Sequence, residues 1–497
     1  MLARRLSPSV LRPAAALIAL LTLLLPSLAG AQTPDRAPDR VIEGRITHAD
    51  HQRYVRAPFD LPAGTDRLVV AFDHDGREAR TVIDLGLEDT RGFRGASGGN
   101  KSSFTVARAD ATPSYLAGPL DPGGWALALA VPNIRAGVTT RWTARLWFLK
   151  GAEAQVLPSP TRGRGRGWFA GDLHMHSAHS DGSCDSQTGA RIPCPLMRTL
   201  DAAAARRLDF IAVTEHNTAS HNAVLREAAP AYDRMLLIPG QEITTFHGHF
   251  GVLGIAEPVD FRIAPGIDNG FDAIADRVHA LGGLVSVNHP GLPSGEICMG
   301  CGWTMPGADL SKVDAVEFVN GSSVDAAGGD PERPGSGIPF WLSRLAAGQR
   351  IAGLGGSDNH DPARTGLGAI GSPTTVVEAE DLTQPAILAG LRAGRSYTRI
   401  ADDPSLHCDF TVVAGARSAR MGGTLAVGTN APLALTPDVR GPASMVVELW
   451  DGGQRLRTLA GPATIRLSRG RHALHLRLRG ADGALLAIGN AVLVDAG

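Results

Sequence analysis

Read as an alternation of apolar and polar positions, the chain changes rhythm twice. From about residue 40 to 155, short runs such as RLVVAFDHD, TVIDLGLED, WALALAVP and RWTARLWFL are cut by Gly, Pro, Asp and Asn. That spacing predicts the short strands of an all-β sandwich. Between 168 and about 400, strand-length runs (GWFAGDLHMH, DFIAVTEHN, MLLIPGQEIT, HFGVLGI, GLVSVNHP, AVEFVNG, IAGLGGSDNH) exchange with Ala-rich helical stretches such as LMRTLDAAAARRL and FDAIADRVHALG. This exchange predicts an α/β region of βα units around a parallel sheet, open or closed into a barrel. After about residue 402, period-two alternation returns in LHCDFTVVA, ASMVVELWD, ATIRLS and HALHLRLRG and predicts a second, small β-sandwich.

Composition and the chain start add a compartment. Arg4 and Arg5, the apolar run AAALIALLTLLL and the small-residue site Ala29-Gly30-Ala31 predict a secretory signal peptide cleaved after Ala31. The apolar run is short for a membrane span of about 20 residues. The expected organisation is a signal peptide at 1–31, an N-terminal β-sandwich at 32–157, a linker at 158–167, the central region at 168–401 and a C-terminal β-sandwich at 402–497. Such a chain is periplasmic or secreted. Lys and Arg number 48 against 49 Asp and Glu, so no basic stripe of the kind nucleic acids require is expected. In an exported chain Cys184, Cys194, Cys298 and Cys301 read as loop staples, and Cys408 stands alone.

One regularity bears on chemistry: nearly every central strand candidate ends in His, Asp or Glu. In parallel α/β sheets and barrels the carboxyl ends of the strands open on one face, where residues distant in sequence converge. His174 and His176, two apart at the end of the first strand, leave on one face; that suits a metal ion, and equally a pair of hydrogen-bonding side chains. Asp181 follows in the same loop, His216 closes IAVTEHN, Glu242 sits in PGQEIT, His249 in HGHFGVLG and His289 in VSVNHP. Asp358 and His360 repeat the two-apart spacing in GGSDNH. These nine N and O donors exceed what one tetrahedral ion takes and point to two or three divalent ions with shared ligands. A mixed imidazole and carboxylate set suits Zn, Mn or Fe.

The motifs DLHMHSAHSDG, TEHN, GQEIT, GHFGVLG, VNHP and GSDNH resemble the PHP superfamily, named after polymerase and histidinol phosphatase, and in particular its exported metallohydrolase branch with the carbaryl hydrolases. The resemblance covers roughly 168 to 400 and implies a distorted (β/α)7 TIM-like barrel with a di- or trinuclear metal centre. On the matching positions it implies that His174, His176, Glu242 and Asp358 hold one metal. Glu242 would bridge to a second, completed by His249 and His289, and Asp181, His216 and His360 would hold the third. It favours His249 over His247, because the family places that ligand directly before the GVLG-type strand.

Around these positions the readings stay plural. His179 is a general acid, a substrate contact or a hydrogen-bonding support. Arg364, in HDPARTG, is a phosphate contact or a solvated side chain. Glu215 reads as a supporting or salt-bridging group, and His221, His279 and His407 as structural or surface residues. Trp303 and Trp341 line the pocket or fill the core. The loops CDSQTGARIPC, GLPSGEICMGCGW and NGSSVDAAGGDPERPGSGIPF are the expected source of substrate choice.

Divalent ions lower the pKa of bound water towards about 7 and stabilise negative charge on the electrophile, so the expected nucleophile is metal-bound hydroxide. The leading expectation is a phosphoesterase acting on a phosphomonoester or phosphodiester, of small-molecule or lipid-headgroup type. A carbamate, carboxyl ester or amide hydrolase on the same centre is the alternative. A non-catalytic envelope- or glycan-binding protein is the reading from another class.

Overall fold

The computed structural model describes residues 33–497 apart from positions 158, 160, 268 and 297; the expected signal peptide lies outside the described residues. Among these residues no helix is long and apolar enough to cross a membrane. The fold is mixed α/β.

Near the N-terminus stand two four-stranded antiparallel sheets. One is ordered Arg40–Thr47, Thr139–Leu149, Arg67–His74, Ser103–Ala107, the other Arg53–Leu61, Gly123–Asn133, Val82–Asp89, Gly92–Ser97. Alternate side chains of both sheets, Phe59, Leu68, Leu85, Trp125 and Leu146 among them, share one buried core, as period-two patterning on facing sheets requires.

In the central region β1 (Gly167–Asp172), β2 (Phe210–Val213), β3 (Leu236–Thr245), β4 (Gly248–Leu253), β5 (Leu284–Val287), β6 (Ala315–Asn320) and β7 (Ala352–Gly356) are neighbours in that order. Neighbours pair in parallel except at β3–β4 and β4–β5. The purely parallel βα pattern expected from sequence is thus broken by one reversed strand. Only Phe246 and His247 separate β3 from β4, and a link that short makes a hairpin, never a crossover. Past its last residue, β1 meets the extension of β7: Met175 and Asn359 form an isolated parallel bridge. There Asp358 N donates to His174 O at 2.9 Å and His176 N to Asn359 O at 2.8 Å.

These strands are buried almost throughout, FIAV of β2 and LVSV of β5 completely, which matches strands covered on both faces. Helices supply the cover. α1 (Leu196–Ala205) buries Leu196, Leu200 and Ala203 along one stripe, and α3 (Phe271–Ala280) buries Phe271, Ile274, Ala275 and Val278. Between them lies α2 (Asn222–Ala228). It carries the buried Arg226, which shares Asp110 with Arg67, so that the N-terminal sheets are tied to the central region.

Two expected boundaries look different in three dimensions. Within the expected linker, residues 161–165 are anchored: Asp381 accepts from Gly163 N (2.8 Å) and Gly165 N (3.0 Å), and Thr161 Oγ1 donates to Leu382 O (2.7 Å). Beyond 402 the chain continues the central sheet. β8 (Thr374–Ala379) pairs with β1, β9 (Ser396–Arg399) pairs with β8, and the C-terminal β10 (Leu485–Gly489) pairs with β9 through Tyr397↔Gly489, Thr398↔Ile488 and Arg399↔Ala487. That pairing covers the edge β9 would otherwise expose. A separate four-stranded sheet, Arg417–Arg420, His407–Ala414, Leu433–Arg440 and Ala463–Ile465, shares its buried core with the C-terminal strands of the long sheet.

Candidate metal centre

Eight of the nine donors read from the strand ends converge in three overlapping groups, in which one ligand atom from each residue lies within 4.8 Å of the others. The groups are His176, Asp181, His216 and His360; His174, Glu242 and His289; and His174, His176 and Asp358. The ninth, His249, places Nδ1 3.5 Å from Glu242 Oε1. His176 thus stands with the rim residues as well as with His174 and Asp358.

Local structure explains the convergence. His174 and His176 sit on the extended continuation of β1 and project from one face. His216 forms an isolated parallel bridge with Glu242. His249 lies opposite Thr244 in the β3–β4 register, diagonal to Glu242 on the same face. Because β4 runs backwards, its first residues reach the rim on which the other strands end. Asp358 (φ +53°) and His289 (φ +27°) adopt left-handed backbone, which costs a non-glycine residue about 1–2 kcal/mol.

Glu242 lies at the centre. Its Oε2 is 3.0 Å from His216 Nδ1, 3.2 Å from His174 Nε2 and 3.5 Å from His176 Nε2. Asp358 Oδ1 is 3.3 Å from His174 Nε2 and 3.2 Å from His176 Nε2. Three histidines share one arrangement. His174 Nδ1 donates to Glu317 Oε1 (3.0 Å), His289 Nδ1 to Cys301 O (3.2 Å) and His360 Nδ1 to Asp358 O (2.9 Å). Each therefore turns Nε2 towards a carboxylate oxygen: His174 and His289 towards Glu242, and His360 towards Asp181 at 3.3 Å. Opposed lone pairs in a desolvated space demand a cation, either a proton or a metal ion.

The titration behaviour expresses the same demand. Burial disfavours charge on His174, yet Glu242, Glu317 and Asp358 hold its pKa well above the ordinary value. Burial is likewise outweighed at Glu242 by His174 and His216, and at Asp358 by His174 and His176, which keep both carboxylates well below their usual range. At the rim, Asp181 and Asp358 overcome burial to bring His360 up to about 9. His174 Nε2, His176 Nε2, Glu242 Oε2 and both ring nitrogens of His249 are buried without a hydrogen-bond partner. Imidazole and carboxylate donors arranged this way fit divalent metal ions.

The other singled-out residues fall outside the groups. His179 Nδ1 meets Ser220 Oγ at 2.8 Å. Arg364 is engaged by Asp325 Oδ2 (2.6 Å) and Ser322 Oγ (3.0 Å). Glu215 makes hydrogen bonds and, among the described residues, no salt bridge: it accepts from Ser177 N (3.1 Å), Ser177 Oγ and Ser180 Oγ (2.5 Å), steadying the loop between His176 and Asp181. His247 joins no ligand group. His221 is buried, His279 pairs with Asp314, and His407 pairs with Asp438 beside Trp168. Trp341 is core, and Trp303 packs edge-on to Phe250 and Phe271. Cys184 is bonded to Cys194 and Cys298 to Cys301, while Cys408 is free and buried.

Sequence reasoning passed over the hydrogen-bonding partners that hold the ligands. Glu317 bonds His174, Asn288 Nδ2 donates to Glu242 Oε1 (2.9 Å), and Asp172 accepts from His174 N (3.2 Å), Ser357 N (3.0 Å) and Gly371 N (2.7 Å). The one available signal was the lone acid inside the apolar run AVEFVN of β6.

No protein-family model matches the chain, and no curated protein does. Among solved structures, a crystal structure from Bifidobacterium adolescentis of a protein proposed to be a metal-dependent phosphoesterase matches at 16% identity. The match covers 40% of this chain and 91% of that one, with a TM-score of 0.27.

Proposed function

We propose that the chain is an exported, metal-dependent hydrolase that cleaves a phosphate ester of small-molecule or lipid-headgroup type, in the periplasm or outside the cell. The observation that carries this reading is the set of buried imidazole nitrogens turned against carboxylate oxygens at the strand ends. His174, His176, Asp181, His216, Glu242, His249, His289, Asp358 and His360 are its ligands. Divalent ions bound there would supply an activated water and stabilise charge on the electrophile. The seven strands β1–β7 are read as a distorted barrel, and the flanking β regions as sandwiches.

The chain's own groups divide the work. His174, His176 and Glu242 are closed from solvent (2%, 0% and 1% exposed side chains), whereas Asp181 and His360 are open (57% and 37%). Substrate therefore approaches from the Asp181–His360 side. His179, on the loop that carries Asp181, is the candidate to hand a proton to a leaving group there. The stapled loop 184–194 and the loops after β5 and β6 are the proposed source of substrate choice. A carbamate, carboxyl ester or amide hydrolase is the second reading. Arg364, which pairs with Asp325, is the candidate phosphate contact of the first reading.

Metal analysis of the purified protein, with a panel of aryl phosphates, phosphodiesters and aryl carbamates assayed with Mn, Zn or Fe, tests the proposal. Turnover that disappears in Asp358→Ala and His176→Ala supports it. Absence of both metal affinity and turnover overturns it in favour of a binding protein.

A further inference from the structure

We infer that Glu317 is a positioning residue that fixes how three of the proposed ligands face the centre, an inference resting on the reading of this cluster as a metal site. Glu317 is 1% exposed, on a strand otherwise made of Ala, Val, Phe and Asn. A charge so deep persists only when its lone pairs are bonded. None of its bonding partners is Arg or Lys. Oε1 accepts from His174 Nδ1 at 3.0 Å, and Oε2 accepts from His289 N at 3.0 Å and from Asn320 Nδ2 at 2.9 Å. Asn320 Nδ2 also lies 3.2 Å from Asp358 Oδ2. One carboxylate thus reaches a ligand side chain after β1, a ligand backbone after β5 and, through Asn320, a ligand after β7.

The chemistry of the bond at His174 sets its orientation. Glu317 Oε2 is taken by His289 N and Asn320 Nδ2 and its Oε1 accepts from His174 Nδ1, which leaves His174 Nε2 facing the centre. The bond to His289 N holds a residue whose backbone is left-handed (φ +27°). Glu317 belongs to none of the three ligand groups itself, so its part is orientation. Space is reserved for it: a Cβ at Gly356 would lie 2.3 Å from Glu317 Oε1 and 2.6 Å from His174 Cβ. Glutamine cannot substitute. Three N–H donors converge on two carboxylate oxygens, and an amide NH2 in place of either oxygen faces a donor.

The test is Glu317→Gln, compared with wild type in three readouts: zinc affinity by chelator competition, zinc stoichiometry, and the unfolding midpoint of the metal-free protein. The expected result is a 10- to 100-fold loss of zinc affinity, larger than the change in metal-free stability accounts for. Affinity within twofold of wild type overturns the inference, as does a loss matched entirely by metal-free destabilisation. If the variant does not fold, 15N spectra of the zinc-loaded wild type decide: a protonated Nδ1 and a coordinated Nε2 on His174 support the inference, and coordination through Nδ1 overturns it. Wild type that binds no zinc, manganese or iron removes the metal-site reading and this inference together. Wild type that binds while Glu317→Gln binds equally well removes only the inference.

Discussion

Replacing Gly356 with alanine perturbs the join between scaffold and centre without replacing a proposed ligand, although the new Cβ also crowds His174 Cβ at 2.6 Å. The backbone of Gly356 lies outside the left-handed region, so alanine meets no conformational penalty and the effect is steric. The new Cβ would stand 2.3 Å from Glu317 Oε1, where ordinary contact begins near 3.4 Å. Relief takes a shift of roughly 1 Å, enough to stretch the 3.0 Å bond between Glu317 and His174 beyond hydrogen-bonding range. Overpacking of this kind costs about 1–3 kcal/mol, and a buried bond lost with it brings the expected destabilisation to about 2–4 kcal/mol. Urea unfolding of the metal-free protein measures this, and zinc titration measures the accompanying loss of affinity. Gly124→Ala, where no atom lies within 4 Å of the new Cβ, is the control and should change stability by about 0.5 kcal/mol or less. A Gly356→Ala protein as stable as the control with undiminished zinc affinity would refute the reasoning.

Asp110→Ala leaves Arg67 and Arg226 buried and facing each other, and should cost about 3–5 kcal/mol in urea unfolding; a loss under about 1 kcal/mol contradicts the junction described here. His475 is buried and its Nε2 accepts from Arg477 Nε at 3.2 Å, so burial, and then Arg477, push its pKa down to about 3. The unfolded chain takes up this proton near 6.5 while the folded chain refuses it, so stability present above about pH 6.5 is lost as pH falls towards 3, at up to about 1.4 kcal/mol per unit. His475→Gln should flatten that slope between about pH 6 and 4, and an unchanged slope counts against it. Removing the Cys184–Cys194 bond, which closes a loop of sequence separation 10, should cost about 3 kcal/mol in a denaturant series run on the double Ser variant. An unchanged midpoint would show the loop to be held by other means.

What sequence conveyed and what it hid divide along a physical line. The donors were legible because strand periodicity and strand ends are local, and convergence on one rim follows from parallel topology whatever the strands' exact bounds. The reversed β4 was misread because HFGVLGI has the composition of any buried strand; the two-residue link before it carried the evidence. The continuity of the C-terminal strands with β9 was invisible because edge pairing is decided by which edge lies open after the central region has formed. Arg364 illustrates the same limit: its partner Asp325 lies on another segment, and nothing in HDPARTG announces it. Glu317 was hidden differently, since one acid in an apolar run reads as an exception until its three donors are seen around it.

Strain and hydrogen bonding at the centre belong to one design. Left-handed backbone at Asp358 and His289 costs about 1–2 kcal/mol at each residue and persists only where the surroundings over-determine it. At Asp358 the constraints are its N–H on His174 O (2.9 Å) and its carbonyl accepting from Ser322 Oγ (2.8 Å) and His360 Nδ1 (2.9 Å). At His289 they are the backbone bond to Glu317 and the ring bond to Cys301 O. Relaxation of either residue to extended backbone would swing a carboxylate or an imidazole away from His174 and Glu242. The closed floor is therefore held by the fold's own backbone and side-chain hydrogen bonds, as a site that must keep several side chains within a fraction of an ångström requires. The Asp181–His360 rim is more open (57% and 37% exposed side chains), and under the proposed hydrolase reading substitutions of its non-ligand neighbours should change substrate preference before they change metal affinity.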